Sequence, residues 1–353
     1  MAGVMPLAFD TTALREPLDA AAAHSEAEKR VREIAGENGR SALVARIVVR
    51  FIVLVVGFGL LASLFALVVQ MIFGGSGANV YTWLIAAVMV IPLAVSQIRT
   101  ELRTRRDEEE RWYRLARFAA SNSLSYEAFR ENPELPASLF RRGGARAIRD
   151  GLASGAVGGF QVANYGYERM SARTRMQHTA CFVAFDAPSG LPPMTLITRL
   201  GDVWGQPAVP PPTQREQGID VEFDKHVTVY CEPQHESAVR EALTAPVRDA
   251  LLQLASSCDI EVIGGRVYII ARRELALTDT AFWRWVEDLA VLVGSVLVRS
   301  ASVDDASRTG WVERSKERTA LFAAPPSGRA FVIGCLIPAV FGIVAAALTA
   351  QLA

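Results

Sequence analysis

The stretch FIVLVVGFGLLASLFALVV, residues 51–69, contains no charged side chain. A second uncharged stretch, VYTWLIAAVMVIPLAVSQI, occupies residues 80–98, and a third, AFVIGCLIPAVFGIVAAALTA, occupies residues 330–350. Each has about the length at which a helix crosses a hydrocarbon layer of ~30 Å. A short glycine-rich turn joins the first two stretches. The sequence therefore predicts three transmembrane helices, namely an N-terminal hairpin and a C-terminal span.

The distribution of arginine and lysine predicts how these spans are oriented. Basic clusters precede the first span, follow the second and precede the third, whereas the turn at residues 74–79 and the tail at 351–353 hold none. Because basic residues near span ends stay on the cytoplasmic side, we expect a multi-pass protein of the bacterial inner (plasma) membrane. The N-terminus and residues 99–329 are then cytoplasmic, and the C-terminus lies outside. The lipid bilayer is the first predicted partner.

The overall composition argues against several classes of protein. The chain has 37 basic and 37 acidic side chains, so its net charge is zero and we expect no nucleic-acid partner. The four cysteines show no CxxC spacing, which argues against a zinc framework. No charged side chain lies within the three apolar stretches, which argues against a proton relay or a voltage sensor. We therefore predict neither a metal site nor a cofactor.

Breaks in composition divide the chain into six predicted segments. They are an N-terminal cytoplasmic segment that is partly disordered (1–42), the transmembrane hairpin (43–98), a juxtamembrane helix and linker (99–150), a cytoplasmic domain (151–300), a tether (301–329) and the C-terminal transmembrane helix (330–353). Residues 1–25 are expected to be unstructured, and residues 25–35 to form a short helix with Ser25 and Glu28 as a capping box. The juxtamembrane helix is expected to end near Ala120, and residues 121–150 to be irregular.

Residues 151–300 carry the patterns of both strands and helices. Alternation predicts strands within residues 156–171, 178–188, 191–200 and 219–232, the last being bent or paired with itself. Helical spacing predicts one helix at 235–257, interrupted where Pro246 starts a second segment, and another at 279–298. In EVIGGRVYII, residues 261–270, the glycine pair predicts a tight hairpin turn. The fold class is therefore α+β: an antiparallel sheet with two packing helices, attached to three transmembrane α-helices.

Several motifs of the chain follow one another in a familiar order. They are RLARFAASNSLSY (114–126), ANYGYE (163–168), VEFDKHVTVYCEP (221–233), LTAPVRDALLQL (243–254) and GGRVYII (264–270). In this order they resemble an uncharacterised family of bacterial membrane proteins whose common cytoplasmic domain has no assigned function. The resemblance implies a membrane-anchored cytoplasmic domain, and it implies no catalytic residue.

Only weak groupings of chemically active side chains are present. Glu222, Asp224 and His226 alternate along the predicted strand 219–232, so they line one face either as metal ligands or as an ordinary solvent-exposed surface. Cys231 and His235 lack a third group that would orient them for nucleophilic catalysis. Residues 141–149, RRGGARAIR, have the composition of a phosphate-binding nest but not the spacing of a nucleotide-binding loop. Catalytic residues therefore stay unknown.

These observations predict a membrane-anchored cytoplasmic interaction or sensing module with an unidentified protein partner. One alternative is an enzyme that acts close to the membrane through a polar cluster such as Glu222 and His226. The other is an accessory subunit of a transporter. An enclosed pocket with convergent polar groups in the folded domain is the observation that would best separate these functions.

Overall fold

The computed structural model describes residues 8–35, 79–155, 159–171, 174–187, 191–199, 213–297 and 320–322. The chain divides into two compact units, one formed by Met1–Arg30 with Glu109–Phe322 and the other by Val31–Glu108 with Ala323–Ala353. All the strands described below belong to the first unit, which also contains the candidate functional site.

The described residues of the first unit form one nine-stranded sheet in which every pairing is antiparallel. Its strands are β1 (Leu124–Glu131), β2 (Gly144–Ser154), β3 (Phe160–Ser171), β4 (Thr174–Asp186), β5 (Met194–Thr198), β6 (Arg215–Gln217), β7 (Val227–Cys231), β8 (Cys258–Ile263) and β9 (Arg266–Ala271). The helices are α1 (Thr12–Arg15), α2 (Ala20–Ala35), α3 (Asn79–Ser121), α4 (Glu236–Ala242), α5 (Ala245–Leu254) and α6 (Thr280–Leu297). The spatial order of the strands is β1-β2-β3-β4-β9-β8-β5-β7-β6.

Successive residues of a strand point to opposite faces of the sheet, and here both faces are buried. The first face packs against α4, α5, α6 and the C-terminal part of α3. Its aromatic centre is Trp283, whose ring centroid lies 4.2 Å from that of Phe118, 4.9 Å from that of Phe9 and 5.3 Å from that of Phe282. The second face carries a separate cluster centred on Phe140, Tyr165 and Tyr268.

The N-terminal segment is more ordered than the sequence predicts. Phe9 packs into the first face, and its main-chain N–H donates to Glu287 Oε1 at 2.7 Å. Asp19 Oδ1 accepts from the main-chain N–H groups of residues 21 and 22, so this carboxylate caps α2 in the manner of an N-cap residue. The predicted capping box is wrong, because Ser25 lies inside α2 and its hydroxyl donates to the Ala22 carbonyl.

A buried polar group joins α3 to the sheet. Arg111 Nε on α3 lies 2.9 Å from Asp150 Oδ2, and the Tyr126 hydroxyl donates to Asp150 Oδ1 at 2.9 Å. Asp150 has a left-handed backbone, with φ of 53°, at an irregularity of β2. Burial raises the pKa of the Asp150 carboxyl, and the Arg111 guanidinium opposes this rise. The C-terminal part of α3 is thus a core helix of the sheet domain.

The membrane architecture predicted from the sequence is wrong. Within the part of the chain that the structure describes, no helix combines the length and the apolar character needed to cross a bilayer. The stretch at residues 80–98 is the N-terminal part of α3, and the same helix continues to Ser121, with Leu115, Phe118 and Ala119 packed on the sheet. The stretches at residues 51–69 and 330–350 lie outside the described residues. The predicted multi-pass localisation is corrected together with the predicted fold class, and an extended antiparallel sheet dominates the fold.

The structure both corrects and confirms local predictions. Residues 121–150 are not irregular, because they contain β1 and the start of β2. Residues 219–226 are not a strand, because the Asp220 carboxylate accepts from the N–H groups of residues 222 and 223 and fixes a 3-10 turn. The hairpin at Gly264 and Gly265 is confirmed, with φ of 61° and 71°. The helix break at Pro246 and the start of α6 at Thr280 are confirmed as well.

Candidate functional site

The candidate site lies on the second face of the sheet, under the connection between β1 and β2. This connection, residues 132–143, is called the covering segment, and it folds over the sheet through a 3-10 turn at Ser138–Arg141. Phe140 anchors it, with ring centroids 5.0 Å from Tyr165, 4.9 Å from Phe182 and 6.0 Å from Tyr268. The segment therefore closes the second face where helices close the first.

Three polar side chains lie next to one another on this face, and two of them, Glu261 and Tyr268, contact the covering segment. Strand register pairs Thr195 on β5 with Glu261 on β8, and Glu261 with Tyr268 on β9. Directly paired residues have their Cβ atoms about 4.5–5.5 Å apart on the same face. The relative exposures of the three residues are 0%, 1% and 0%. Thr195, Glu261 and Tyr268 are called the polar row.

Glu261 is held through one carboxylate oxygen only. The main-chain N–H and the hydroxyl of Ser138 both donate to Oε2, at 2.9 and 2.8 Å. Burial raises the pKa of the Glu261 carboxyl, because the ionised form loses its hydration. The two Ser138 hydrogen bonds and the nearby Arg141 and Arg142 guanidinium groups act in the opposite direction.

The remaining polar atoms of the row have no hydrogen-bond partner among the described residues. They are Glu261 Oε1, Thr195 Oγ1 and the Tyr268 hydroxyl, and all three are shielded from solvent. Burial raises the pKa of the Tyr268 hydroxyl, and the nearby Arg266 guanidinium opposes this rise without reaching hydrogen-bond geometry. Arg142 Nη2, on the covering segment, is buried and without a partner in the same way. Buried polar atoms in folded proteins nearly always have partners, so such a group requires an explanation of its own. Three such atoms lie side by side in the polar row, which makes the row the candidate place for a hydrogen-bonding occupant.

A second acidic side chain on the same strand and face shows the opposite arrangement. Asp259, which is fully buried, forms a bidentate pair with Arg272, with Nη2–Oδ1 of 2.7 Å and Nε–Oδ2 of 3.0 Å. The main-chain N–H of Thr198 also donates to Oδ1, and Arg272 Nη2 donates to the Thr198 carbonyl. Asp259 is thus bound into the fold through both carboxylate oxygens, whereas Glu261 presents one oxygen free.

The first face also contains a cavity, but its chemistry differs. It has a volume of about 40 Å³ and lies between β5, β8, β9 and the helices α4 to α6. All of its lining side chains are apolar, among them Leu196, Val267 and Leu292. A water molecule in this space would find no hydrogen-bond partner among the lining side chains. It is a packing gap rather than a ligand site.

The structure does not assemble Glu222, Asp224 and His226 into a site. Their positions fall in and around the 3-10 turn at Phe223–Lys225, not on one face of a strand. The side chains of Glu222 and His226 are 69% and 59% exposed. Asp224 instead accepts from the main-chain N–H of Ile219. No group of three metal-ligating side chains occurs among the described residues.

The other candidates from the sequence are structural. Cys231 faces the helix-covered core, where burial raises the pKa of its thiol, and His235 lies in a separate 3-10 turn after β7. The glycine pair in residues 141–149 joins the covering segment to β2. Gly143 has φ of 61°, and a Cβ atom there would lie 2.2 Å from the Glu168 carbonyl oxygen, so this position requires glycine. Neither grouping supports catalysis or phosphate binding.

The polar row was missed by sequence reasoning, although one signal was available. In CDIEVI, residues 258–263, two acidic residues alternate with β-branched residues that also form the core. The partner strand of the predicted hairpin has four consecutive apolar residues, 267–270, so both of its faces are buried. The carboxylates opposite it are then buried too. No sequence pattern indicates that residues 132–143 cover them.

Comparison with known proteins adds no relative to this description. No protein-family model, no curated protein and no solved structure matches the chain. The resemblance to an uncharacterised membrane-protein family therefore stays a prediction.

Proposed function

We propose that the sheet domain is a non-enzymatic sensing module that binds a small, uncharged polar molecule against the polar row. The observation that carries this proposal is the row itself: three adjacent, fully buried polar side chains with unpaired atoms on the face that the covering segment closes. Binding and release of the occupant would be coupled to the covering segment, because Ser138 of that segment holds Glu261 directly.

The energetics support a functional role for these atoms. Each buried polar group without a partner destabilises the fold by about 1–3 kcal/mol. Apolar substitutes of the same shape, valine for threonine and phenylalanine for tyrosine, would avoid that loss. Positions that break a local rule of stability are typical of functional sites. An occupant that completes the hydrogen bonds would recover this free energy on binding.

The donors and acceptors of the row define the class of ligand. Within the row, Glu261 Oε1 accepts and the Thr195 and Tyr268 hydroxyls do either. Arg142 Nη2 of the covering segment, whose charge acts on Glu261, adds a donor. The ligand therefore carries both donors and acceptors, as a polyol or a primary amide does. Arg141 and Arg142 disfavour a cation, and burial with a raised Glu261 pKa disfavours a second negative charge. An ordered water molecule is the smallest occupant that fits this chemistry.

Binding is favoured over catalysis because the row lacks an activated nucleophile. The pKa values of the Cys181 and Cys258 thiols are raised by burial, so these cysteines stay protonated. The alternative of an enzyme using Glu222 and His226 loses its basis, since both side chains extend into solvent. The alternative of a transporter accessory subunit depends on membrane spans, which the described residues do not contain.

The test measures thermal stability of the full chain in a panel of small uncharged polyols and amides. A ligand that binds only the folded state raises Tm with concentration. We expect at least one compound to do so for the unaltered chain, and the shift to disappear in Tyr268→Phe and Thr195→Val. Tyr165→Phe is the matched control, because it also removes a buried, unpaired tyrosine hydroxyl. Tyr165 lies on β3, outside the row, although its ring and that of Tyr268 both contact Phe140, with centroid distances of 5.0 and 6.0 Å.

The outcome for the control separates a binding effect from a stability effect. Tyr268→Phe and Tyr165→Phe both remove an unpaired hydroxyl, so both variants are expected to unfold at a higher temperature without ligand. Only Tyr268→Phe should lose the response to the compound. The proposal is contradicted if no compound stabilises the unaltered chain, or if all three variants respond as the unaltered chain does.

A further inference from the structure

The hairpin formed by β3 and β4 extends beyond the strands on either side of it. The pairing of β2 with β3 ends at Glu168, and the pairing of β9 with β4 ends at Cys181. Beyond these points residues 169–171 pair only with residues 174–176. Residues 168–171 and 174–178 are called the arm. Along residues 174–180 the outer edge of β4 pairs with no other strand of the described chain.

The arm carries large exposed side chains of two kinds. Met170 and Met176 are 63% and 48% exposed, which is unusual for apolar residues of this size in a sheet. Arg169 and Arg175 are exposed beside them. Register places Arg169 opposite Met176 on one face and Met170 opposite Arg175 on the other. Each face of the arm therefore offers one flexible apolar side chain next to one guanidinium group.

The charge of the arm is basic. Its only acidic side chain is Glu168, whose carboxylate lies 3.8 Å from the Arg175 guanidinium with both groups exposed. An exposed ion pair at this distance contributes little energy, so Arg175 can exchange Glu168 for a carboxylate of another molecule. Arginine on an open edge also repels a second copy of the same edge, which disfavours self-pairing. The edge is complementary to a strand that carries carboxylates.

We propose that the arm binds an extended acidic segment of a partner protein, which adds to the sheet along residues 174–180 of β4. The free main-chain groups of this edge supply the hydrogen bonds of strand addition. Its seven residues match the length of an ordinary strand. Arg169 and Arg175 pair with carboxylates of the segment, and Met170 and Met176 pack against its apolar side chains, because methionine adapts to varied surfaces. This surface is independent of the polar row.

The test uses the full chain and a fluorescein-labelled peptide of about ten residues in which glutamate alternates with valine. Fluorescence anisotropy should show saturable binding. The double variant Arg169→Glu/Arg175→Glu should weaken it by about tenfold or more, because two attractive charges become repulsive. Arg130→Glu is the matched control, since Arg130 is an exposed arginine on the opposite edge strand, β1. This control should leave the affinity unchanged.

Two further probes separate strand addition from general attraction between charges. A peptide of the same sequence with N-methyl groups on alternate residues cannot form the main-chain ladder, and we expect it not to bind. A peptide in which lysine replaces glutamate should not bind either. The proposal is overturned if the N-methylated peptide binds as well as the first one, if Arg130→Glu weakens binding equally, or if a single-stranded oligonucleotide binds the arm in preference to the acidic peptide.

Discussion

Both faces of the sheet are buried, but different elements and different side chains cover them. Helices cover the first face, and its side chains are almost entirely apolar around Trp283 and Phe118. A short connection covers the second face, and polar side chains are buried beneath it. The first face therefore has the composition expected where only stability matters. The buried polar atoms without partners on the second face lower the stability of the fold. Such a loss is typical of surfaces that serve a function as well as packing.

Within the second face the same contrast appears between two residues of β8. Asp259 is bound by Arg272 and by the Thr198 N–H, so its buried charge is compensated. Glu261 has donors on one oxygen only. Burial of a carboxylate therefore does not by itself mark a site. Glu261 differs because its second carboxylate oxygen, Oε1, has no hydrogen-bond donor among the described residues.

The largest expected effect concerns the compensated carboxylate. Arg272→Leu leaves Asp259 buried without its partner, so we expect a loss of about 3–5 kcal/mol in the free energy of unfolding, measured by urea denaturation. The double variant Asp259→Leu/Arg272→Leu should recover most of this loss, because no uncompensated charge remains. Equal losses in the single and double variants would show that the pair acts through packing alone.

A smaller effect is expected for the half-bound carboxylate. Glu261→Gln removes the buried charge, so the variant should be more stable than the unaltered chain by about 1–3 kcal/mol near neutral pH. The pKa of Glu261 is raised above its ordinary value of 4.5, so between the two pKa values the folded state binds more protons than the unfolded state. The contribution of Glu261 to stability is therefore fully present below 4.5 and is lost as pH rises through the folded pKa.

The pH dependence provides the check on that prediction. Urea denaturation from about pH 4 to about pH 8 should show the two proteins converging at the acid end and separating as pH rises. Other titrating groups are common to both proteins and cancel in the difference. A constant difference across this range would contradict a raised pKa of Glu261.

A matched pair of substitutions compares the packing of the two faces directly. Ile269 and Ile270 are consecutive on β9, are 1% and 3% exposed, and point to the first and second faces. Ile269→Val and Ile270→Val should each lower the free energy of unfolding by about 1 kcal/mol, since each removes one buried methylene group. A negligible loss for Ile270→Val alone would show that the covering segment packs loosely.

The smallest expected effect is a gain on the first face. Val267→Ile adds one methylene group toward the cavity of about 40 Å³, and we expect a stabilisation of about 0.5 kcal/mol or slightly more. Val183→Ile is the control, because Val183 lies on the same face, is fully buried and does not line the cavity. That change should be destabilising through overpacking. Thermal unfolding of the two variants side by side distinguishes these outcomes.

Local chemistry made part of this structure predictable. Gly264 and Gly265 specify a turn by their positive φ values, and Pro246 marks the helix break because proline suits a first helical turn. Hydropathy misled the reading of α3, because an apolar half and a charged half belong to one continuous helix. The polar row could not be predicted, since it depends on register between β5, β8 and β9 and on a cover that comes from residues 132–143.

The strand order has a consequence for how the molecule is assembled. Strands β1 to β4 pair with their neighbours in sequence, and so do β8 and β9. In contrast, β4 pairs with β9 and β5 pairs with β8, although long stretches of chain separate them. Such distant pairings form late and make folding slow. Thr195 meets Glu261 only at one of these late joins. An incompletely folded chain therefore lacks the polar row altogether, so the proposed ligand would bind only the completed fold.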